Sequence, residues 1–172
     1  MYVTSIEIIK KASEEWYAVP AFAAEDIQTV EKIVEAGNMR KSPLIVIAAP
    51  AVCAKARKVA DCAEVPVALY SKRCQEPVMS KRAEALALDI SPDQFHQNAN
   101  DCLDTIFNLR RRTGAPLALD GGSEIPELSL KKAICLGVAE ISFQIDETME
   151  DDTEIINFCT DKMAVCGSCG KA

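Results

Sequence analysis

The stretch GAPLALDGGSEIPELSLKKAICLGVAEISFQID, residues 114–146, has the pattern of a complete strand–turn–helix–strand unit. A short apolar run from Leu117 to Asp120 ends in a Gly-Gly-Ser turn at 121–123, and a helical pattern then runs to Gly137. A second apolar run follows that glycine. Strands that alternate with helices in this way are typical of an α/β protein with a parallel sheet.

The same alternation extends over the chain, whose predicted core is mainly Ile, Val, Leu and Ala because aromatic residues make up only 5%. Thr4-x-x-Glu7 has the pattern of a helix capping box, Ser91-Pro92 is typical of a helix start, and Gly37 is expected to end a helix. Strands are predicted at 17–22, 43–49, 65–70, 84–90, 117–120 and 138–144, and helices at 4–15, 26–36, 51–63, 91–114, 126–136 and 152–163.

Composition limits the class of protein and its partners. We predict a single domain over residues 1–172, since no linker or low-complexity stretch divides the chain. The net charge of −7 argues against nucleic acid and anionic membranes, which both favour basic surfaces. No apolar run approaches the roughly 18 residues of a transmembrane helix, and the N-terminal sequence lacks the apolar block of a signal peptide. We therefore expect a cytoplasmic protein.

The eight cysteines suggest a metal or redox function only at one place. Cys166 and Cys169 form a CxxC pair, but a closed zinc site needs four ligands, and no second CxxC or histidine pair accompanies it. A redox or metal role for this pair stays open. The other cysteines are scattered singly and are expected to be small hydrophobic residues of the interior: Cys53, Cys62, Cys74, Cys102, Cys135 and Cys159.

Several segments, in order, resemble the class II, metal-dependent fructose-bisphosphate and tagatose-bisphosphate aldolases. The opening MYVTSIEIIKKASEEWYAVPAF resembles the family's first helix and strand, and VPVALYSKRC resembles the family pattern PVALHLDHG. EALALDIS resembles ALAVAIG, LDGGSEIP resembles LHGGSGIP, and the tail VCGSCGKA resembles FGSAGKA. The resemblance therefore covers the chain from end to end.

The resemblance implies a (β/α)8 barrel, a fold that usually takes about 250 residues. Only six strands are readable here, and the family segment that is missing falls between about Cys74 and Arg82. We therefore expect an incomplete or reduced barrel with about six parallel strands. Because such a sheet has open edges, we expect either a smaller distorted barrel or an oligomer, formed with a second copy or with a full-length aldolase-like chain.

The family's chemistry requires a metal ion that polarises a ketose-phosphate carbonyl, with histidine ligands and an aspartate as acid and base. The resemblance places the metal-ligand positions at Arg73, Gln94 and Asp120, and the acid–base position at Lys72. His96, the only histidine, lies two residues from one of them. A guanidinium cannot ligate a cation. We therefore expect no catalytic residue and no cofactor; zinc would be implied only if the chemistry were retained, with Asp120 and His96 as weak candidate ligands.

The family's phosphate-binding turn is retained as Gly121, Gly122 and Ser123. Its backbone N–H groups and hydroxyl could receive a sugar phosphate, although Glu124 adds a negative charge there. Two cations could offset that charge if they project from the same face: Lys72 and Arg73. The alternative is that the two glycines serve only the tight turn.

Three functions remain open from the sequence. The first is an aldolase homologue without lyase activity that either binds a sugar phosphate or acts as a partner subunit. The second is an active aldehyde-lyase that cleaves a ketose 1,6-bisphosphate with a non-standard site. The third is a redox or interaction protein that uses the CxxC of the tail.

Overall fold

The computed structural model describes residues 1–71, 85–146, 148–149 and 151–172. Within these residues strands and helices alternate as the sequence predicts. The strands are β1 Val19–Ala24, β2 Leu44–Ala48, β3 Val67–Ser71, β4 Leu86–Ala87, β5 Leu117–Leu119 and β6 Val138–Phe143. The helices are α1 Ser5–Glu15, α2 Ile27–Arg40, α3 Cys53–Cys62, α4 Pro92–Thr113, α5 Glu127–Cys135 and α6 Asp152–Cys166.

The six strands form one parallel sheet in the order β3-β2-β1-β6-β5-β4. Because β6 pairs with β1, the order is that of a barrel interrupted between β3 and β4. The interruption falls at the connection 72–84, where the resemblance places the missing family segment. The expected incomplete α/β barrel is confirmed as a curled half-barrel, while Lys72 and Arg73 lie outside the described residues.

Side chains alternate between the two faces of the sheet along each strand, and both faces are buried. Its outer face packs against helices through residues such as Phe22 and Phe143, whose ring centroids lie 5.7 Å apart. Its inner face carries small or branched residues near the strand starts: Val19, Ala68, Ala118 and Ala139. They share a buried hydrophobic cluster with Ile8, Ile9 and Ala12 of α1. Helix α1 therefore covers the amino-terminal end of the inner face, and the carboxyl ends of the strands carry the polar groups.

The first three residues pair with the edge strand β3, which the sequence did not indicate. The Val3 N–H donates to the Val67 carbonyl at 3.0 Å, and the Val67 N–H donates to the Met1 carbonyl at 3.0 Å. The Arg57 guanidinium lies 3.3 Å from the centroid of the Tyr2 ring and holds this segment in place. The start of the β3 edge is therefore covered, while Leu86 on the opposite edge strand is 41% exposed.

Three local predictions are wrong. Cys62 and Cys135, which the sequence predicts to be interior residues, are exposed. Helix α2 does not end at Gly37 but continues to Arg40, with Lys41 in the left-handed region at φ 49°. A Cβ atom at position 37 would lie 2.3 Å from Leu44 Cδ2, so this glycine permits close packing of the helix against β2 rather than ending it. The predicted capping box of α1 is also not formed, since Thr4 makes no side-chain cap hydrogen bond.

Hydrogen bonds and an ion pair hold the C-terminal residues against the ends of α1 and α2. The hydroxyls of Ser168 and Ser42, both fully buried, lie 2.7 Å apart. The Gly170 N–H donates to the Arg40 carbonyl at 2.9 Å, and the Lys171 ammonium pairs with Glu15 at 3.0 Å. None of the helices that the structure describes is both long enough and apolar enough to span a membrane.

Candidate functional site at the carboxyl ends of the strands

Four polar side chains share the inner face at the carboxyl ends of the strands. The Ser142 hydroxyl donates to Asp120 Oδ1 at 2.8 Å. The Tyr70 hydroxyl donates to Glu140 Oε2 at 3.4 Å, and the Glu140 side chain is fully buried. Sequence reasoning missed Tyr70 and Glu140 as site residues. The signal for Glu140 was present, because it is an acidic residue inside the apolar run VAEISF, on the same strand face as Ser142.

The Gly-Gly-Ser turn is fastened to the end of β6 by its own polar groups. The Gly122 N–H donates to the Ser142 carbonyl at 2.9 Å. The Ser123 hydroxyl donates to the Gln144 carbonyl at 3.0 Å and accepts from the Gln144 N–H at 2.9 Å. Two hydrogen-bond donors that could have bound a phosphate therefore already donate to backbone carbonyls of the protein.

Packing explains both glycines of the turn. A Cβ atom at Gly122 would lie 2.4 Å from Ile141 Cγ2 and 2.8 Å from Phe143 Cε1, far inside contact distance. Gly121 has φ +74°, and its Cβ would lie 2.6 Å from Pro92 Cγ. The turn is thus pressed between β6 and the start of α4, where no side chain fits. Phosphate binding at this turn stays a prediction.

The start of α4 brings Gln94 and His96 beside this turn. Gln94 completes a capping box, in which its Oε1 accepts from the Ser91 N–H at 2.7 Å. The predicted helix start at Ser91 is thereby confirmed. His96 Nε2 lies 2.8 Å from the Glu124 carbonyl oxygen. Since a carbonyl only accepts, Nε2 must carry the proton in this contact, which leaves Nδ1 as the one ring nitrogen that could ligate a metal in the neutral form.

These residues do not fit the metal site that the resemblance implies. A zinc site needs several N, S or O donors that converge at about 2.0–2.3 Å. The Gln94 oxygen is used in the helix cap, Asp120 accepts from Ser142, and the Arg73 position lies outside the described residues. Over residues 1–71, 85–146, 148–149 and 151–172, no three His, Cys, Asp or Glu side chains are grouped so that they could share a metal ion. The described residues therefore do not supply the ligand set that a metal-dependent cleavage step would need.

The two cysteines of the tail have different environments. Cys166 is fully buried at the end of α6, whereas Cys169 is exposed. Burial raises the pKa of the Cys166 thiol, and it raises the pKa of Cys159 to about 12. Because the thiolate is the reactive form, neither buried thiol is prepared for redox exchange or metal binding near neutral pH.

We expect iodoacetamide at pH 8 to modify Cys169 readily in the native protein and to leave Cys166 unmodified. Burial hinders access and disfavours the thiolate, so the rates should differ at least about 100-fold. Peptide mass spectrometry over a time course measures both sites, and unfolding in guanidinium, which should equalise the two rates, is the control. Equal rates in the native state would instead support the redox hypothesis for the CxxC.

Comparisons with known proteins agree with this architecture. The family model for class-II fructose-bisphosphate aldolase matches residues 3–106, more than half of the chain. A sulfofructosephosphate aldolase from Alkalicoccus urumqiensis is 32% identical over 87 residues, which cover 49% of this chain and 28% of that protein. The match therefore spans little more than a quarter of that curated relative.

Solved structures with the same fold are also aldolases. The YdjI aldolase from Escherichia coli K12 superposes with a TM-score of 0.66 at 17% identity, with 100% of both chains covered. The fructose-bisphosphate aldolase from Campylobacter jejuni gives a TM-score of 0.62 at 11% identity, covering 99% of this chain and 97% of that one. At these identities the structures establish the fold alone. The family match over more than half of the sequence shows that this chain belongs to the class II fructose-bisphosphate aldolase family.

Proposed function

We propose that this chain is a class II aldolase homologue that does not cleave ketose bisphosphates and acts as a non-catalytic partner subunit. The observation that carries the proposal is the hydrogen bond made by the Gln94 side chain. The resemblance places a metal-ligating histidine at this position. The Gln94 side-chain oxygen closes the helix cap at Ser91. Without a Lewis acid at the carbonyl, the carbanion formed on carbon–carbon cleavage has no electron sink.

The residues at the other family positions support the same conclusion. Asp120 is a single carboxylate, already bonded to Ser142. The sequence has a guanidinium at Arg73 in place of an imidazole and an ammonium at Lys72 in place of the acid–base carboxylate. An always-charged guanidinium repels a cation instead of binding it. The deciding experiment is a cleavage assay with zinc supplied, in which we expect no product above that of the buffer.

The two alternatives have less support. An aldehyde-lyase with a non-standard site would need a new set of ligands, yet His96 is not grouped with two further His, Cys, Asp or Glu side chains among the described residues. A redox protein would need an accessible thiol pair, yet Cys166 is buried. The cleavage assay and the alkylation experiment address these alternatives separately.

Between the two non-catalytic roles, the contacts of the turn favour a partner subunit over a sugar-phosphate binder. The Gly122 amide and the Ser123 hydroxyl already bond to the end of β6, so a phosphate would have to replace these bonds. Glu124 and Asp120 add two carboxylates close by in the sequence. The interrupted barrel and the exposed edge residue Leu86 give a reason for a partner, which would be a second copy or a full-length aldolase-like chain.

We expect fructose 1,6-bisphosphate at 5 mM, about five times the upper end of the ordinary KM range, to raise the melting temperature by less than about 1 °C. A ligand with a Kd about 100-fold below its concentration would add about 2.7 kcal/mol, which corresponds to several degrees in a chain of this size. Sodium sulfate at matched ionic strength is the control. A rise of several degrees with the sugar phosphate and none with sulfate would replace the partner-subunit role by sugar-phosphate binding.

A further inference from the structure

A groove lies between α4 and α5, on the outer side of the half-barrel and away from the strand ends. Its cavity of about 400 Å³ is lined by Leu103 of α4 and by Lys131, Lys132, Cys135 and Leu136 at the end of α5. Leu103 and Leu136 also pack against the main core, so the floor of the groove is continuous with the interior. None of these residues takes part in the site described above.

The apolar surface continues beyond the cavity on both helices. Phe107 is 48% exposed and follows Leu103 by four residues, so both lie on the same face of α4. Leu128 is 66% exposed and precedes Lys131 and Cys135 by three and seven residues on one face of α5. The face from Leu128 to Cys135, with Lys131 between these two residues, is about 10 Å long, roughly two turns of a helix.

The rim of the groove is basic, although the chain has a net charge of −7. Lys131 and Lys132 line it directly, and Arg111 follows Phe107 by four residues on the α4 side. Glu127 pairs with Lys131 and offsets one of these charges. Asp104 precedes Phe107 by three residues and adds a carboxylate on the α4 side. The rim therefore carries three cations against two carboxylates, beside an apolar floor.

We propose that this groove docks an acidic amphipathic helix of a partner protein. Leucine-like side chains of the helix would fill the cavity, while its carboxylates face Lys132 and Arg111, as in helix-in-groove recognition. The exposed positions of Phe107 and Leu128 favour a helix over a small anionic amphiphile, which would fill the cavity and leave both side chains in water. The inference deepens the proposed role as a partner subunit and rests on it.

The test uses a synthetic helical peptide of about 18 residues, with Leu at helical spacing on one face and Glu on the other. Fluorescence anisotropy should give a Kd of roughly 10–100 µM at low salt. Phe107→Ser and Lys132→Glu should each weaken binding about tenfold, because one removes apolar contact and the other reverses a rim charge. Matched controls on other exposed helix faces, Met39→Ser and Lys55→Glu, should leave the affinity unchanged.

Cys135 provides a second readout because it is exposed and lines the groove. Bound peptide should slow its alkylation about tenfold, with exposed Cys62 on α3 as the internal reference. The proposal is overturned if Cys135 is not protected, if a peptide with Lys in place of Glu binds equally well, or if dodecanoate protects Cys135 while the peptide does not. Lyase turnover would contradict the proposed function without altering these readouts, so the two failures are distinguishable.

Discussion

Gly122→Ala is expected to lower the melting temperature by about 6–12 °C, which corresponds to about 2–4 kcal/mol in a chain of this size. The added methyl group would lie 2.4 Å from Ile141 Cγ2, 2.8 Å from Phe143 Cε1 and 3.1 Å from the Ser142 carbonyl oxygen. One of these neighbours is backbone of β6 and the other two are fully buried side chains. Relief of the overlap would therefore require the turn to move away from the sheet.

Gly114→Ala is the matched control for this prediction. Gly114 lies between α4 and β5 with φ +65°, and no atom lies within 4 Å of an added Cβ. Gly114→Ala should therefore lower stability only by the free energy of holding alanine in the left-handed conformation, about 1–2 kcal/mol. Differential scanning calorimetry compares the two variants. Equal losses would mean that packing does not require Gly122, and the turn would then be better explained by a bound phosphate.

The order of elements and the parallel sheet could be predicted because buried strands require apolar runs, which are local. The interrupted barrel could be predicted because the resemblance fixed where the missing segment lies. Two features depend on distant contacts and were not predictable. Gly37 continues a helix because Leu44 packs against it, and Met1 to Val3 form hydrogen bonds with a strand more than sixty residues away.

The candidate site was predictable only in part. The sequence identified Asp120, the turn after it and the helix start at Ser91, because these lie in segments that resemble the family. The spacing Ser91-x-x-Gln94 is that of a capping box, a local signal that was overlooked because the resemblance assigned Gln94 to a ligand position. Sequence reasoning also missed the contact between Tyr70 on β3 and Glu140 on β6, since β2 and β1 separate these strands in the sheet.

The second large effect concerns catalysis. We expect the purified protein, supplied with zinc, to cleave fructose 1,6-bisphosphate and tagatose 1,6-bisphosphate with kcat/KM below about 1 M⁻¹s⁻¹, at least about 10⁴-fold under the usual enzyme range. Under the proposed function, Gln94 and Asp120 cannot replace a set of imidazole ligands, and Lys72 occupies the position where the resemblance places the carboxylate that transfers the proton. Asp120→Asn is the control variant, because it removes the Asp120 carboxylate. Among the family ligand positions within the described residues, only position 120 has an acidic side chain.

The most direct measurement is the release of dihydroxyacetone phosphate from fructose 1,6-bisphosphate, followed with and without zinc and with and without a chelator. The account predicts the same rate in all four conditions, equal to that of buffer and unchanged in Asp120→Asn. Turnover that requires zinc, is abolished by the chelator and is lost in Asp120→Asn would contradict it and establish a working lyase.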